Sequence, residues 1–278
     1  MTRLDDADAS SARSGIDSEA ATDGSPAGGP ATDDRDGDRE ARERLHSARA
    51  TLYAAVGGAF CYPDVETRAT LTAHDARDGV LQAAERLGLH DEAEAFLDAV
   101  ADAAVSDLEA AYNDLFGLPD GGEYPVVPYE AHYTTGSDVG ESQRRIAAVV
   151  GLMETFGVEP ADDFAERQDH VAAELELMQV VAAQRAAAVH EGDDEAAARL
   201  ADAERTVVDT HLAEFVPALA HDVDAAVGED PADGERAYRA AARLAAELVK
   251  RDHAARGGDD EGDSEPDDAA GEVSDDGE

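Results

Sequence analysis

Between Ala41 and His253 the large apolar residues recur at intervals of three and four, and β-branched alternation is almost absent. That spacing builds amphipathic helices, and the Ala, Leu, Glu and Arg that fill the rest are strong helix formers. Leu45, Leu52, Val56 and Phe60 mark one face of a helix over Ala41–Phe60, which Gly57, Gly58 and Pro63 weaken and end. A short helix over Gly79–Leu89 follows, then a long one over Asp91–Phe116 carrying Phe96, Val100, Leu108, Tyr112 and Leu115. Further helices are expected over Ser142–Phe156, Asp169–His190, Asp194–His211, Leu212–Val227 and Pro231–His253. Pro217 separates the third and fourth of these, because proline is tolerated in a first turn and not in an interior. Two segments break the pattern: 117–136, dense in Gly and Pro, and Gly157–Arg167. The expectation is a single all-α domain of eight or more helices over 41–253, too interrupted for a simple four-helix bundle.

Residues 1–40 and 254–278 hold almost no large apolar side chain and are expected to be disordered acidic tails. The whole chain carries 65 acidic and 22 basic residues, a net charge of −43, and much of the acidity lies in the helical body. Such a surface cannot displace counterions from nucleic acid, nor dock on an anionic membrane. Its even spread fits a protein adapted to molar salt, where charges are screened within about 3 Å. No apolar run is long enough to span a bilayer, and the N-terminus has no signal-peptide pattern. Cytoplasmic location is therefore expected, and the lone Cys61 cannot form an intramolecular disulfide.

Catalytic signatures are absent: no phosphate loop, no dinucleotide fingerprint and, with Glu43–His46 standing alone, not the two Glu-x-x-His motifs of a di-iron helical site. Cys61 lies in an apolar run and reads as a packing residue. Two constellations remain. Tyr124–Tyr133 (Y-P-V-V-P-Y-E-A-H-Y) holds three of the seven tyrosines and two stiffening prolines, which suits either a binding surface or a plug between helices. Glu166–Met178 opens a helix, with Asp169 suited to cap it and His170 and Glu174 sharing a face. His170 and Glu174 alone are two ligands and do not make a metal site; a metal reading would have to add His132.

Taken in order, the motifs resemble the TorD/DmsD family of redox-enzyme maturation chaperones, to which the NarJ-type chaperones are related. Leu52-Tyr53 and the run ending Tyr62-Pro63 look like its first helix. Tyr112-Asn113-Asp114-Leu115-Phe116 is similar to its aromatic-x-x-Leu-Phe. Pro128-Tyr129-Glu130-Ala131-His132-Tyr133 resembles its Pro-Tyr/Trp-x-Ser-x-Tyr loop. Glu166-Arg167-Gln168-Asp169-His170 with Glu174-Leu175 resembles its Glu-x-Pro-Asp-His-x-x-x-Glu-Leu signature. His211-Leu212-x-x-Phe215-x-Pro217 is similar to its His-Leu-x-x-Trp-x-Pro. Ala131, Gln168 and Phe215 depart from the family's Ser, Pro and Trp.

The resemblance implies an all-helical chaperone with no catalytic residue, metal or cofactor of its own. Its partner would be the catalytic subunit of a molybdopterin oxidoreductase, bound through the twin-arginine signal peptide or as the apo-subunit. It would hold that cargo for cofactor insertion and proofreading before export, in a cell that respires anaerobically. Tyr112, Leu115 and Phe116 would form an apolar floor, Pro128, Tyr129 and Tyr133 a wall, and Asp169 and His170 the groove edge. The chain would act as a monomer or as a dimer exchanging helices across 117–136. The competing readings are an acidic helical adaptor acting through its tails, and a metal-dependent hydrolase using His170 and Glu174.

Overall fold

A computed structural model describes residues 31–117, 124–136, 139–159, 164 and 166–257. Among them every regular element is helical: α1 (Ala31–Ala59), α2 (Val65–Thr72), α3 (His74–Leu87), α4 (His90–Asp102), α5 (Val105–Phe116), α6 (Glu130–Thr134), α7 (Val139–Phe156), α8 (Val171–Glu191), α9 (Asp194–Thr206), a π turn (Val207–Leu212), α10 (Ala213–Val227) and α11 (Asp233–Gly257). The all-α expectation holds. No described helix is long and apolar enough to cross a membrane.

Helix α8 is the axis. Its buried residues, among them Ala173, Leu175, Met178, Val181 and Ala186, occupy all sides, as in a helix surrounded by others. Helix α1 runs along it, and Gly57 permits the approach: a Cβ there would lie 3.4 Å from Leu175 Cβ and 3.6 Å from the Ala172 carbonyl oxygen. Helix α11 closes the other side, burying Tyr238, Leu244, Leu248 and Val249 against α10, α4 and α5. At its start Gly234 sits so close to α5 that any Cβ would overlap the Asp107 carbonyl oxygen.

Several boundaries differ from the sequence expectation, each for a physical reason. Helix α1 begins at Ala31, so ten residues assigned to the first tail are helical; Arg35–Asp38 are exposed and bury nothing. Residues 1–30 and 258–278, the rest of the expected tails, lie outside the described residues. Leu45, read as a core position, is 42% exposed. It lies close to where α1 passes the end of α8, marked by the Glu43–His190 contact at 3.0 Å. Helix α2 had no sequence signal; it is short and buries no residue. The expected helix Asp91–Phe116 is two, because Ala103 and Ala104 are extended and Asp107 reaches back to the Ala104 N–H at 3.2 Å. Pro217 lies inside α10, not in a first turn. The helix from α9 continues into α10 through the π turn, whose i→i−5 bond from Ala213 N–H to the Val208 carbonyl admits one extra residue.

A buried polar cluster ties four helices together. Arg49 of α1 donates to Asp252 of α11 through Nε (3.0 Å) and Nη2 (2.6 Å), and to Glu204 of α9 through Nη1 (2.7 Å). Arg185 of α8 donates to the same Glu204 oxygen at 2.7 Å, and Tyr53 OH to Asp252 at 2.9 Å. Removing Arg49 leaves two buried carboxylates short of their partner. Arg49→Ala is expected to cost about 3–5 kcal/mol of unfolding free energy. By contrast, cutting the exposed Arg199–Glu195 pair should barely move the denaturation midpoint. Chemical denaturation of the two variants checks the contrast.

Candidate functional site

Two irregular segments meet where α8 begins. Tyr129 and His170 form an antiparallel β-bridge. The Glu130 N–H donates to the Asp169 carbonyl and the Val171 N–H to the Pro128 carbonyl, both at 2.9 Å. Asp169 adds a side-chain bond, accepting from the Ala131 N–H at 3.2 Å. Pro128 suits its place because it contributes only its carbonyl.

The cap of α8 is His170, not Asp169. Its Nδ1 accepts from the Ala172 N–H at 3.2 Å, so the proton sits on Nε2, which has no partner among the described residues. The ring packs edge-on against Tyr129 (5.5 Å) and Phe164 (5.9 Å). Asp169 faces the other way. Its carboxylate, fully buried, takes Arg167 Nε at 2.9 Å and Arg167 Nη2 on its second oxygen. The Arg167 guanidinium also lies over the Tyr129 ring, 4.5 Å from its centroid, and Tyr129 OH donates to Glu166 at 2.5 Å.

Above this junction is an open groove of about 620 Å³, with Tyr124, Val127, Tyr129, His132, Val139 and Arg167 among its walls. Of the expected cargo-binding residues, Tyr129 lines it directly. Pro128, Asp169 and His170 lie buried beneath it. Tyr133 points elsewhere: its OH donates to Asp222 of α10 at 3.0 Å and its ring packs on Phe215. Tyr112, Leu115 and Phe116 belong to the core, the rings of Tyr112 and Phe116 packing edge-to-face with Tyr238. They meet the loop through the Leu115 carbonyl, which accepts the Val126 N–H at 2.9 Å.

Below the groove lies a second constellation that sequence reasoning missed. One ligand-type atom from each of Glu130, Glu174 and His211 lies within 4.8 Å of the others, and all three residues are buried. His211 Nδ1 is 3.1 Å from Glu130 Oε2, and Arg145 Nε is 3.5 Å from Glu130 Oε1. Arg145 also donates to the Thr210 carbonyl of the π turn at 2.8 Å. The two Glu174 oxygens find no hydrogen-bond donor. Burial, and then the Glu130 carboxylate beside it, push the Glu174 carboxyl well above its ordinary range, so it holds a proton. These three residues could ligate a cation, but Arg145 already supplies positive charge to Glu130. The alternative metal trio of His132, His170 and Glu174 is not assembled: His170 spends its Nδ1 on the cap and His132 is exposed on the groove. Each member of the observed trio comes from a different motif, which no spacing rule joins.

Two pH dependences follow. Glu174 gives up its proton at a higher pH in the folded protein than in the unfolded chain, which releases it above about pH 4. The folded state binds the extra proton, so stability falls as pH rises. Glu174→Gln is expected to melt above the parent at about pH 9, with the gap narrowing toward about pH 4. A gap independent of pH contradicts this. His170 has the opposite sign: burial holds it down at about 4. Its stabilisation is complete above the unfolded value of about 6.5 and is lost as pH falls through the folded one. His170→Asn retains a good cap without titrating. It should flatten the acid limb of thermal stability. The residual slope comes from the other groups shifted down, among them His46, lowered to about 4 by burial and then by Arg185, and Glu204, which Arg49 and Arg185 hold down against its burial.

No curated protein and no solved structure matches this chain significantly. Residues 82–221 of its 278 match the family model described as nitrate reductase delta subunit. That span takes in both loop motifs, the start of α8 and the π turn. The chain belongs to the nitrate reductase delta subunit family, whose members are maturation chaperones of molybdoenzymes and not catalysts.

Proposed function

We propose that this protein binds the twin-arginine leader of a molybdopterin oxidoreductase subunit and holds the apo-subunit in the cytoplasm for cofactor insertion and proofreading before export. The observation that carries this reading is the open groove at the junction of the two family motifs. Its walls supply both halves of what a leader needs. Tyr124, Val127, Tyr129 and Val139 offer apolar area to the leader's hydrophobic stretch, worth about 25 cal/mol per Å² before association costs. Next to its lining residues Arg167 and Tyr129, Asp169 and Glu166 hold carboxylates suited to an arginine, which recognises them through paired N–H donors.

The expected site residues then divide by task. Tyr129 contacts cargo. Asp169 meets the leader's arginine, and Pro128 and His170 hold the groove floor in register. Leu115 anchors the wall through its carbonyl while Tyr112 and Phe116 pack beneath, and Tyr133 pins α6 to α10. In molar salt long-range steering is screened, so apolar burial and close contact carry the affinity.

Val139 is 70% exposed, so it can be changed without disturbing the core. Val139→Lys and Tyr129→Ala are each expected to weaken binding of a fluorescent synthetic leader by about ten-fold or more, with helical content unchanged. Anisotropy titration in molar potassium chloride measures it. Parent-like affinity in both variants would remove the groove from cargo binding.

A further inference from the structure

The buried carboxylate of Asp169 already holds a guanidinium, and that guanidinium belongs to the protein. Arg167 reaches Asp169 through Nε and Nη2, the paired geometry that distinguishes arginine from lysine. Its flat face lies over Tyr129. Glu166, bonded to the Tyr129 hydroxyl, keeps a second acid beside it.

The two partners are unequally enclosed. Asp169 has no exposed surface, whereas the Arg167 side chain is 49% exposed and lines the open groove. Without Arg167, the Asp169 carboxylate would keep only the Ala131 N–H, at the foot of a groove open to solvent. A fully buried carboxylate is costly unless paired, so the site demands a guanidinium from somewhere. Arg167 is a loop residue just before the cap of α8, and its stem can turn outward without breaking a helix. It is the one Arg or Lys among the residues lining the groove.

We propose that Asp169, Tyr129 and Glu166 form an arginine-binding seat, that Arg167 fills it in the unliganded protein, and that an arginine of the incoming peptide displaces Arg167. The identity of the peptide rests on the leader reading above; the seat itself does not. Arg167 is thus a built-in competitor. It keeps Asp169 paired when cargo is absent, and it sets a threshold that a lysine, lacking the fork, does not meet.

Two readouts separate the seat from the leader. The first is chemical rescue of Arg167→Ala by N-acetyl-arginine amide. The compound is expected to raise the variant's melting temperature well beyond any effect on the parent, while N-acetyl-lysine amide does not. The second is leader binding. If Arg167 fills the seat nine-tenths of the time, its removal should tighten an Arg-Arg leader about ten-fold. A Lys-Lys leader should gain little. Arg167→Gln, which keeps a hydrogen bond to Asp169, serves if the alanine variant does not fold. Rescue without leader binding by any form supports the seat and overturns the leader reading. Leader binding that is unchanged or weakened by loss of Arg167, with no rescue, overturns the seat.

Discussion

Everything at the groove depends on the antiparallel pairing of Pro128–Glu130 with Asp169–Val171. Two backbone bonds of 2.9 Å fix a proline-stiffened loop against the first residues of the central helix. Both segments are irregular, so their amides and carbonyls would otherwise need water. The pairing satisfies them and at once dictates which side chains face each other. Tyr129 is set against His170, and Asp169 is turned under Ala131 toward Arg167. The groove is therefore attached to the most buried helix of the molecule, and its floor inherits that rigidity.

Buried charge does the same work at longer range. The chain carries a net −43, yet the acids that leave water are each met by something specific. Asp252 and Glu204 have Arg49, Asp169 has Arg167, and Glu130 has His211 and Arg145. Glu174 is the exception that keeps its proton instead. Such groups add little net stability over apolar packing, but a wrong helix arrangement would strand them. In a core rich in alanine, whose small side chains discriminate poorly between alternative packings, that penalty helps fix which helices are neighbours.

The fold was legible because helix periodicity is local. The faces carrying Phe96 and Val100, or Leu175 and Met178, follow from spacing alone, and these residues are buried. What escaped was either non-local or silent in residue type. The break at Ala103–Ala104 has no Gly or Pro to announce it. Pro217 announced a disturbance but not its form: it sits inside α10, and the helix from α9 runs into α10 without a break, through the π turn at Val207–Leu212. Asp169 is the better cap by composition, and His170 takes the role because Asp169 is engaged by Arg167 and Ala131. The pairing of Glu130 with His211 spans 81 residues and that of Arg49 with Asp252 spans 203. The motifs marked the right segments, and their meeting point is a tertiary fact.

The central claim is that cargo is gripped at this junction and not elsewhere on the acidic surface. Hydrogen–deuterium exchange of the full chain, alone and with a leader-bearing molybdoenzyme subunit in molar salt, tests it directly. Protection gained on binding should concentrate in residues 124–136 and 166–170, with the outer face of α1 unchanged. Protection confined to α1 or the acidic termini, with the junction exchanging as in the free protein, would contradict it.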